Sequence, residues 1–448
     1  MRWGRWPILL MGLAFVRGLG YAALVPPWQA PDEIAHFEFA WHIARLGRWS
    51  GAAVPLSAFE RELVASLYAW RFGEWTGRPL PVVMPERRAD LPPTVFAATS
   101  RTMPGRFSIA YVWQALFLLP VRYEDLVTQL YVARLSSVVI NVLLIGLAWR
   151  IYGELGLPQG WAVAATAFLV LWPQHTFINA TVNEGPLAEL AAAVAFWGWA
   201  RLFARGLRPE GLAAVLGGTM LGLWAKHTAA FLVGWGALTA LAYGGYRGLR
   251  GAASWRHRLA YLAVTTLIML SLGALAAGTP VGRWAWDRLE AWEPGKRMEA
   301  AMPLDQTIRW TWESLWARFG WMNVAAPEGW YGAILLLGLL AIEGWLFPRS
   351  RAWSAPGWSV GMMATFGMAA LAGWLAFVVG TPGGPYYAQG RYLFPAAIPG
   401  AALLAGGWGR WAPQGWGEGA RVASFIGIWA LLDAVAWGWA LLPFFYGG

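Results

Sequence analysis

PPWQAPDEIAHFEFAWHIARLGRW, residues 26–49, follows directly on an apolar segment that ends near Val25. Pro26, Pro27 and Pro31 stop the preceding helix, because each removes a backbone donor and restricts the residue before it. Asp32 then opens a short helix over about Glu33–Leu46, in which Ile34, Phe37, Trp41 and Ala44 recur at helical spacing. His36 lies one turn beyond Asp32 and Glu33. An apolar helix stopped by prolines and followed by an acidic, amphipathic one predicts a membrane protein. Its second helix is expected to lie along the interface, facing lipid or bundle, with its carboxylates at the edge of a lipid-lined cavity. Asp32 and Glu33 also suit a helix start, as N-cap and first-turn acid.

The rest of the chain agrees with that class. Of 448 residues, 58% are hydrophobic and 13% charged, against about 25% charged in soluble domains. Apolar runs of membrane-spanning length recur at 6–25, 130–150, 161–178, 186–203, 211–225, 229–246, 259–277, 330–347, 357–379, 392–407 and 422–442. Many of the 34 tryptophans sit near the ends of these runs, where an amphipathic ring settles at headgroup level. The expected fold is an all-α polytopic membrane protein of about eleven spans, forming one domain over 1–448. Two long polar stretches, 26–129 and 278–329, interrupt the spans, the first carrying interfacial helices. The apolar start is read as a retained helix, since no small-residue cleavage site follows it. No cysteine is present, so disulfides and thiolate ligands are excluded.

The net charge of +10 is read as topogenic, with no nucleic-acid partner. If the modest apolar piece at 107–120 does not cross, then Arg201/Arg205/Arg208, Arg247/Arg250/Arg256/Arg258, Arg349/Arg351 and Arg410/Arg421 all fall inside. The N-terminus is then cytoplasmic, the C-terminus and both polar stretches are outside, and the expected location is the plasma (inner) membrane.

With this topology the chemistry-bearing residues gather on the outer side. Asp32, Glu33 and His36 follow the first span. Asn179, Thr181, Asn183 and Glu184 occupy one outer turn and Lys226 and His227 another. Arg318 belongs to RFGWMNV, and Gln389, Arg391 and Tyr392 belong to YYAQGRYLFP (386–395). Bland readings exist for several: Asn183 and Glu184 can start a helix, Lys226 can snorkel, and Arg391 can contact headgroups. His42, His175 and His257 are read as structural. Arg17, Glu189 and Asp433 fall inside spans, where ionisable groups must pair with one another or line a cavity.

Taken in order, Pro31-Asp32-Glu33-Ile34-Ala35-His36-Phe37, Asn183-Glu184-Gly185, Lys226-His227-Thr228, Phe319-Gly320-Trp321 and Gln389-Gly390-Arg391-Tyr392 resemble the GT-C superfamily of membrane glycosyltransferases. The closer likeness is to a bacterial multi-pass branch with a PDExxHF segment after the first helix and a late QGRY element. The pattern departs at Glu184 and Gly185, where that branch has Asp and Ala.

The resemblance implies an inverting transfer of a sugar from a polyprenyl-phosphate donor to an extracytoplasmic acceptor, within a membrane of lipid partners. Asp32, with Glu33 and His36, is then catalytic. Asn183, Glu184, Lys226, His227, Arg318, Gln389, Arg391 and Tyr392 bind substrate. Asp32, Glu33 and Glu184 are hard oxygen ligands able to hold Mg²⁺ or Mn²⁺. Rival readings are a transporter or flippase of a lipid-linked glycan, which needs a polar path through the bilayer, and a non-catalytic envelope-assembly subunit, which tolerates loss of Asp32.

Overall fold

The apolar start of the chain forms α1 (Arg5–Leu24), ended by Val25 and the prolines behind it. The computed structural model describes residues 4–47, 57–87, 90–91, 108–250, 255–279, 303–349, 355–380, 388–413 and 415–447. Tyr386, Arg351 and the side chains of Arg250 and His257 lie outside the described residues, as do 48–56, 92–107 and 280–302 of the two polar stretches.

After α1 come α2 (Glu33–Leu46), α3 (Ser57–Ala69), α4 (Phe72–Thr76) and α5 (Ile109–Leu118). The bundle proper continues with α6 (Leu126–Glu154), α7 (Gln159–Leu171), α8 (Pro173–Ile178), α9 (Gly185–Arg205), α10 (Pro209–Ala225), α11 (Phe231–Arg250) and α12 (Trp255–Gly278). Next, α13 (Leu304–Trp316) leads into a hairpin of two two-residue strands, β1 (Arg318–Phe319) and β2 (Val324–Ala325). The chain ends in α14 (Glu328–Leu346), α15 (Gly357–Gly380), α16 (Ala397–Trp411), α17 (Glu418–Ala436) and α18 (Leu442–Tyr446).

Among the described residues, eight helical stretches are long and apolar enough to cross a bilayer: α1, α6, α9, α11, α12, α14, α15 and the run from α17 to α18. The other three expected spans are shorter. Pro173 breaks 161–178 into α7 and α8, α10 has 17 residues, and α16 follows a 3₁₀ turn at Gly390–Ala396. Helix α5 has 10 residues, about 15 Å at 1.5 Å per residue, half of what a crossing needs. Leucines and isoleucines such as Ile8, Leu9, Leu262, Leu270, Leu336 and Leu339 point outward and are more than half exposed. Water would not tolerate such a belt, and lipid does.

The first polar stretch is a folded unit with its own core. Trp28, Phe37, Leu63, Leu67, Phe72, Tyr111 and Leu118 pack together and onto Leu130 of α6. Of the two surroundings expected for α2, lipid or bundle, the packing favours protein: 11 of its 14 residues are buried. The neighbouring α3 and α5 cover the face that would otherwise meet water, and even the Glu38–His42 pair is enclosed.

Within the bundle, small residues let helices close in. A Cβ at Gly218 of α10 would lie 2.5 Å from the Ala195 amide of α9. The far ends of α6 and α9 are tied by Glu154, which pairs with Arg201 at 3.0 Å and Arg205 at 2.8 Å. Arg17 and Asp433, both expected inside spans, pair with each other at 2.5 Å.

Candidate functional site

Asp32 and Arg391 are 359 positions apart and touch: Arg391 Nη2 donates to Asp32 Oδ2 at 2.9 Å. Asp32 occupies the N-cap position of α2 with φ 60° and ψ 8°, and its side chain makes no capping bond. The capping reading is therefore corrected. The left-handed backbone, uncommon for a residue with a Cβ, turns the carboxylate away from the helix end. Asp32 is one-third exposed and the Arg391 side chain 5% exposed. Arg391 Nη1 also reaches the Pro31 carbonyl at 3.5 Å, while its Nε is buried with no hydrogen-bond partner.

Arg391 is aimed by the segment before it. The Gly390 N–H donates to Ser314 Oγ at 2.8 Å, and Thr311 Oγ1 donates to the Ala388 carbonyl at 3.2 Å. A Cβ on Gly390 would overlap the Leu315 backbone, so only glycine lets this segment lie flat on α13.

Glu33 does not stand at the cavity edge. It is fully buried, with both oxygens on Arg134, at 2.8 Å to Nε and 2.7 Å to Nη2. Its Oε1 also accepts from the Val182 N–H at 3.1 Å. Arg134 donates further to the carbonyls of Ala22, Val25 and Pro26. Glu33 and Arg134 thus knot the end of α1, the start of α2, α6 and the turn before α9. The sequence carried a signal for Arg134, an ionisable residue inside the run 130–150, and it was not singled out.

The turn between α8 and α9 is built by Asn183. Its Nδ2 donates to the Ile178 carbonyl at 2.8 Å, and its Oδ1 accepts from the Gly185 N–H at 2.7 Å, so Asn183 serves the start of α9. Lys226 ends α10 and is 8% exposed. Its Nζ lies 5.0 Å from the Tyr392 ring centroid, and Arg391 Cζ lies 5.5 Å from the same ring. Two cations share one aromatic ring.

Lys226 and Arg391 line one narrow recess together with Asn179, Asn183, Gly185, Glu189 and Phe394. Its floor is polar. His175 Nε2 meets Glu189 Oε1 at 2.7 Å, and Asn179 Nδ2 donates to Glu189 Oε2 at 3.1 Å. Glu189 is thus both paired and a cavity residue, and His175, read as structural, is its partner.

Other expected site residues sit elsewhere. Glu184 is buried at the start of α9 but does not line the recess. His36 Nδ1 bonds the Tyr111 hydroxyl at 2.9 Å. His227 packs its ring on Phe377, centroids 4.9 Å apart. Arg318 is tied to Glu313 and to the Met322 carbonyl, with its guanidinium 4.0 Å from the Trp310 ring centroid. Gln389 Oε1 is buried without a hydrogen-bond partner. The FGW element docks the first polar stretch: Trp321 Nε1 donates to the Trp28 carbonyl at 2.8 Å, and the Arg78 guanidinium covers the Trp321 ring at 4.4 Å. Burial pushes the Arg78 pKa down, and the Asp32 charge acts to hold it up. Arg78 is therefore a second cation within the field of Asp32, one that spacing did not reveal.

Among the described residues no three acidic or histidine side chains gather as metal ligands. Of the trio Asp32, Glu33 and Glu184, Glu33 has both oxygens on Arg134. Asp32 is already on Arg391.

The long apolar helices, the outward leucine belt and the ionisable residues paired inside define an all-α polytopic membrane protein. At one end of its bundle is a narrow recess lined by two cations, Lys226 and Arg391, and by Asn179 and Glu189. No protein-family model matches the chain, and no curated protein matches it.

Proposed function

We propose that the chain is an inverting glycosyltransferase that moves a sugar from a polyprenyl-phosphate donor to an acceptor outside the cytoplasm, with the recess on the outer side of the plasma membrane. One observation carries this reading. The Asp32 carboxylate and the Arg391 guanidinium meet beside a recess that Lys226 also lines, and Arg391 keeps one buried N–H with no protein partner. A buried cationic donor left unmatched is costly, and a phosphate oxygen matches it.

The residues divide the chemistry. The acceptor hydroxyl oxygen bonds to the anomeric carbon as the bond from that carbon to the phosphate oxygen breaks. The bonding electrons leave with the polyprenyl phosphate, and the hydroxyl proton passes to Asp32. Arg391 stabilises the growing phosphate charge, with Lys226 as a second cation. A single displacement inverts the centre. Arg391 orients Asp32, and Glu33 supports that geometry from the buried side. The isoprenoid tail stays in the bilayer, which is why such a site suits the membrane end of a helix bundle.

The test is transfer by the full chain reconstituted in lipid, offered a panel of polyprenyl-phosphate sugars and a cell-envelope extract as acceptor. Asp32→Asn is expected to lower turnover by about 10²–10⁴-fold with donor affinity and thermal stability near wild type. Near wild-type turnover in this variant removes Asp32 from the base role.

A further inference from the structure

We propose that a groove at the end of the bundle away from the recess binds one phospholipid, with an acyl chain laid in the groove and a phosphate–ammonium headgroup met by Arg5 and Glu418. The inference is independent of the glycosyltransferase reading and concerns a different part of the molecule.

The groove, of about 390 Å³, lies between the first turns of α1, α7 and α17. Its volume falls within the range of small-molecule sites, about 300–1,000 Å³. From α17 it takes Gly419, Val422, Ala423 and Ile426, which share one helix face. Val163 of α7 is a further apolar wall. Small residues make the room: a Cβ on Gly419 would meet nothing within 4 Å. Trp6 lines the groove from α1, and Leu9 and Leu13, which continue its row along that helix, are exposed. The groove therefore runs into the outward leucine belt. An apolar channel in that position gains from a hydrocarbon chain and not from water.

Charge at its mouth distinguishes the groove from plain lipid-facing surface. The Arg5 guanidinium lies 5.4 Å from the Trp6 ring centroid. The Glu418 carboxylate lies against Gly160, another lining residue, where a Cβ would stand 2.9 Å from Glu418 Oε1. Arg5 and Glu418 each open their helix and are exposed. A cation and an anion thus each flank a residue of the groove, at span ends where headgroups lie. Phosphate suits Arg5, and a primary ammonium suits Glu418. Phosphatidylethanolamine carries both groups. Phosphatidylglycerol has no ammonium, and the quaternary ammonium of phosphatidylcholine has no N–H to donate. A polyprenyl phosphate lacks the cation too, and its proposed phosphate site is beyond the other end of α1, whose 20 residues span about 30 Å.

The experiment is native mass spectrometry of the delipidated full chain, titrated with dioleoyl phosphatidylethanolamine, phosphatidylcholine or phosphatidylglycerol. The wild type is expected to bind one phosphatidylethanolamine about five-fold or more tighter than either other lipid, the scale of one or two exposed charge contacts. Gly419→Leu, which extends a side chain into open space, is expected to lower that affinity about ten-fold with thermal stability unchanged. Ala423→Leu repeats the test should Gly419→Leu lower stability. Glu418→Gln is expected to bring phosphatidylethanolamine down to the level of phosphatidylcholine while phosphatidylcholine binding stays as it was. The site is overturned if no lipid binds saturably, if the stable groove-filling variants keep full affinity, or if the three headgroups bind alike. Farnesyl phosphate that displaces phosphatidylethanolamine at equal concentration would make the groove a polyprenyl site, and a dimer that Gly419→Leu splits would make it a contact between copies; either result also overturns the proposal.

Discussion

Arg391 reaches Asp32 with one terminal nitrogen and leaves its Nε buried and without a hydrogen-bond partner. A guanidinium can serve a carboxylate and a phosphate together because its five donors are fixed in a plane. An ammonium is a point charge and must choose. Arg391→Lys is therefore expected to keep the charge yet lose about 10²–10³-fold in transfer rate, the cost typical of a lost transition-state donor. Turnover by reconstituted protein checks this. If lysine restores the full rate, Arg391 is only a surface cation and the phosphate site lies elsewhere. At this scale the sequence showed which residue types were present near a membrane surface, and their neighbours remained hidden. Asp32 and Glu33 are adjacent in the chain, but one meets Arg391 and the other Arg134.

The helices explain why those two carboxylates part. Asp32 precedes the first turn of α2 in a left-handed conformation, and Glu33 begins the helix facing α6. With Arg134, Glu33 fastens the ends of α1, α2 and the turn after α8, through carbonyls and one N–H that would otherwise be buried unpaired. Breaking a buried pair by removing one member costs about 3–5 kcal/mol. Glu33→Ala is thus expected to lower unfolding stability by that order, whereas Asp32→Asn leaves stability almost unchanged. Reversible unfolding in detergent micelles distinguishes them. Equal stabilities for the two variants would return Glu33 to the candidates for the base. The element scale also shows what the spacing of α2 left open. Its apolar spacing is that of an amphipathic helix, but α3 and α5 cover the other face, and helix periodicity carries no information about what arrives later in the chain.

Across the whole molecule, α9 runs 21 residues, about 31 Å, the thickness of a hydrocarbon core. It joins the recess at one end to the Glu154–Arg201–Arg205 cluster at the other. The exposed Tyr123, between α5 and α6, marks the recess end, and Arg205, more than half exposed, marks the opposite one. The chain has no native cysteine. Tyr123→Cys is expected to react with an impermeant maleimide in intact cells, and Arg205→Cys only after the inner face is opened. The reverse pattern would put the recess on the cytoplasmic side and end the proposal of an extracytoplasmic acceptor.

The sequence by itself determined the class: hydropathy sums locally along the chain, so apolar runs, proline stops and the sorting of polar residues to span ends could all be read in order. It also marked Asp32, Asn183, Lys226 and Arg391, because polar groups at such places are costly without a role. The tertiary structure alone decided the partners. The Glu33–Arg134 and Asp32–Arg391 contacts join residues 101 and 359 positions apart, and no spacing rule connects charges across such distances. The contacts of Glu189 with His175 and Asn179 were likewise set by packing. A span residue that must be satisfied has several possible partners, and only the bundle's geometry selects one.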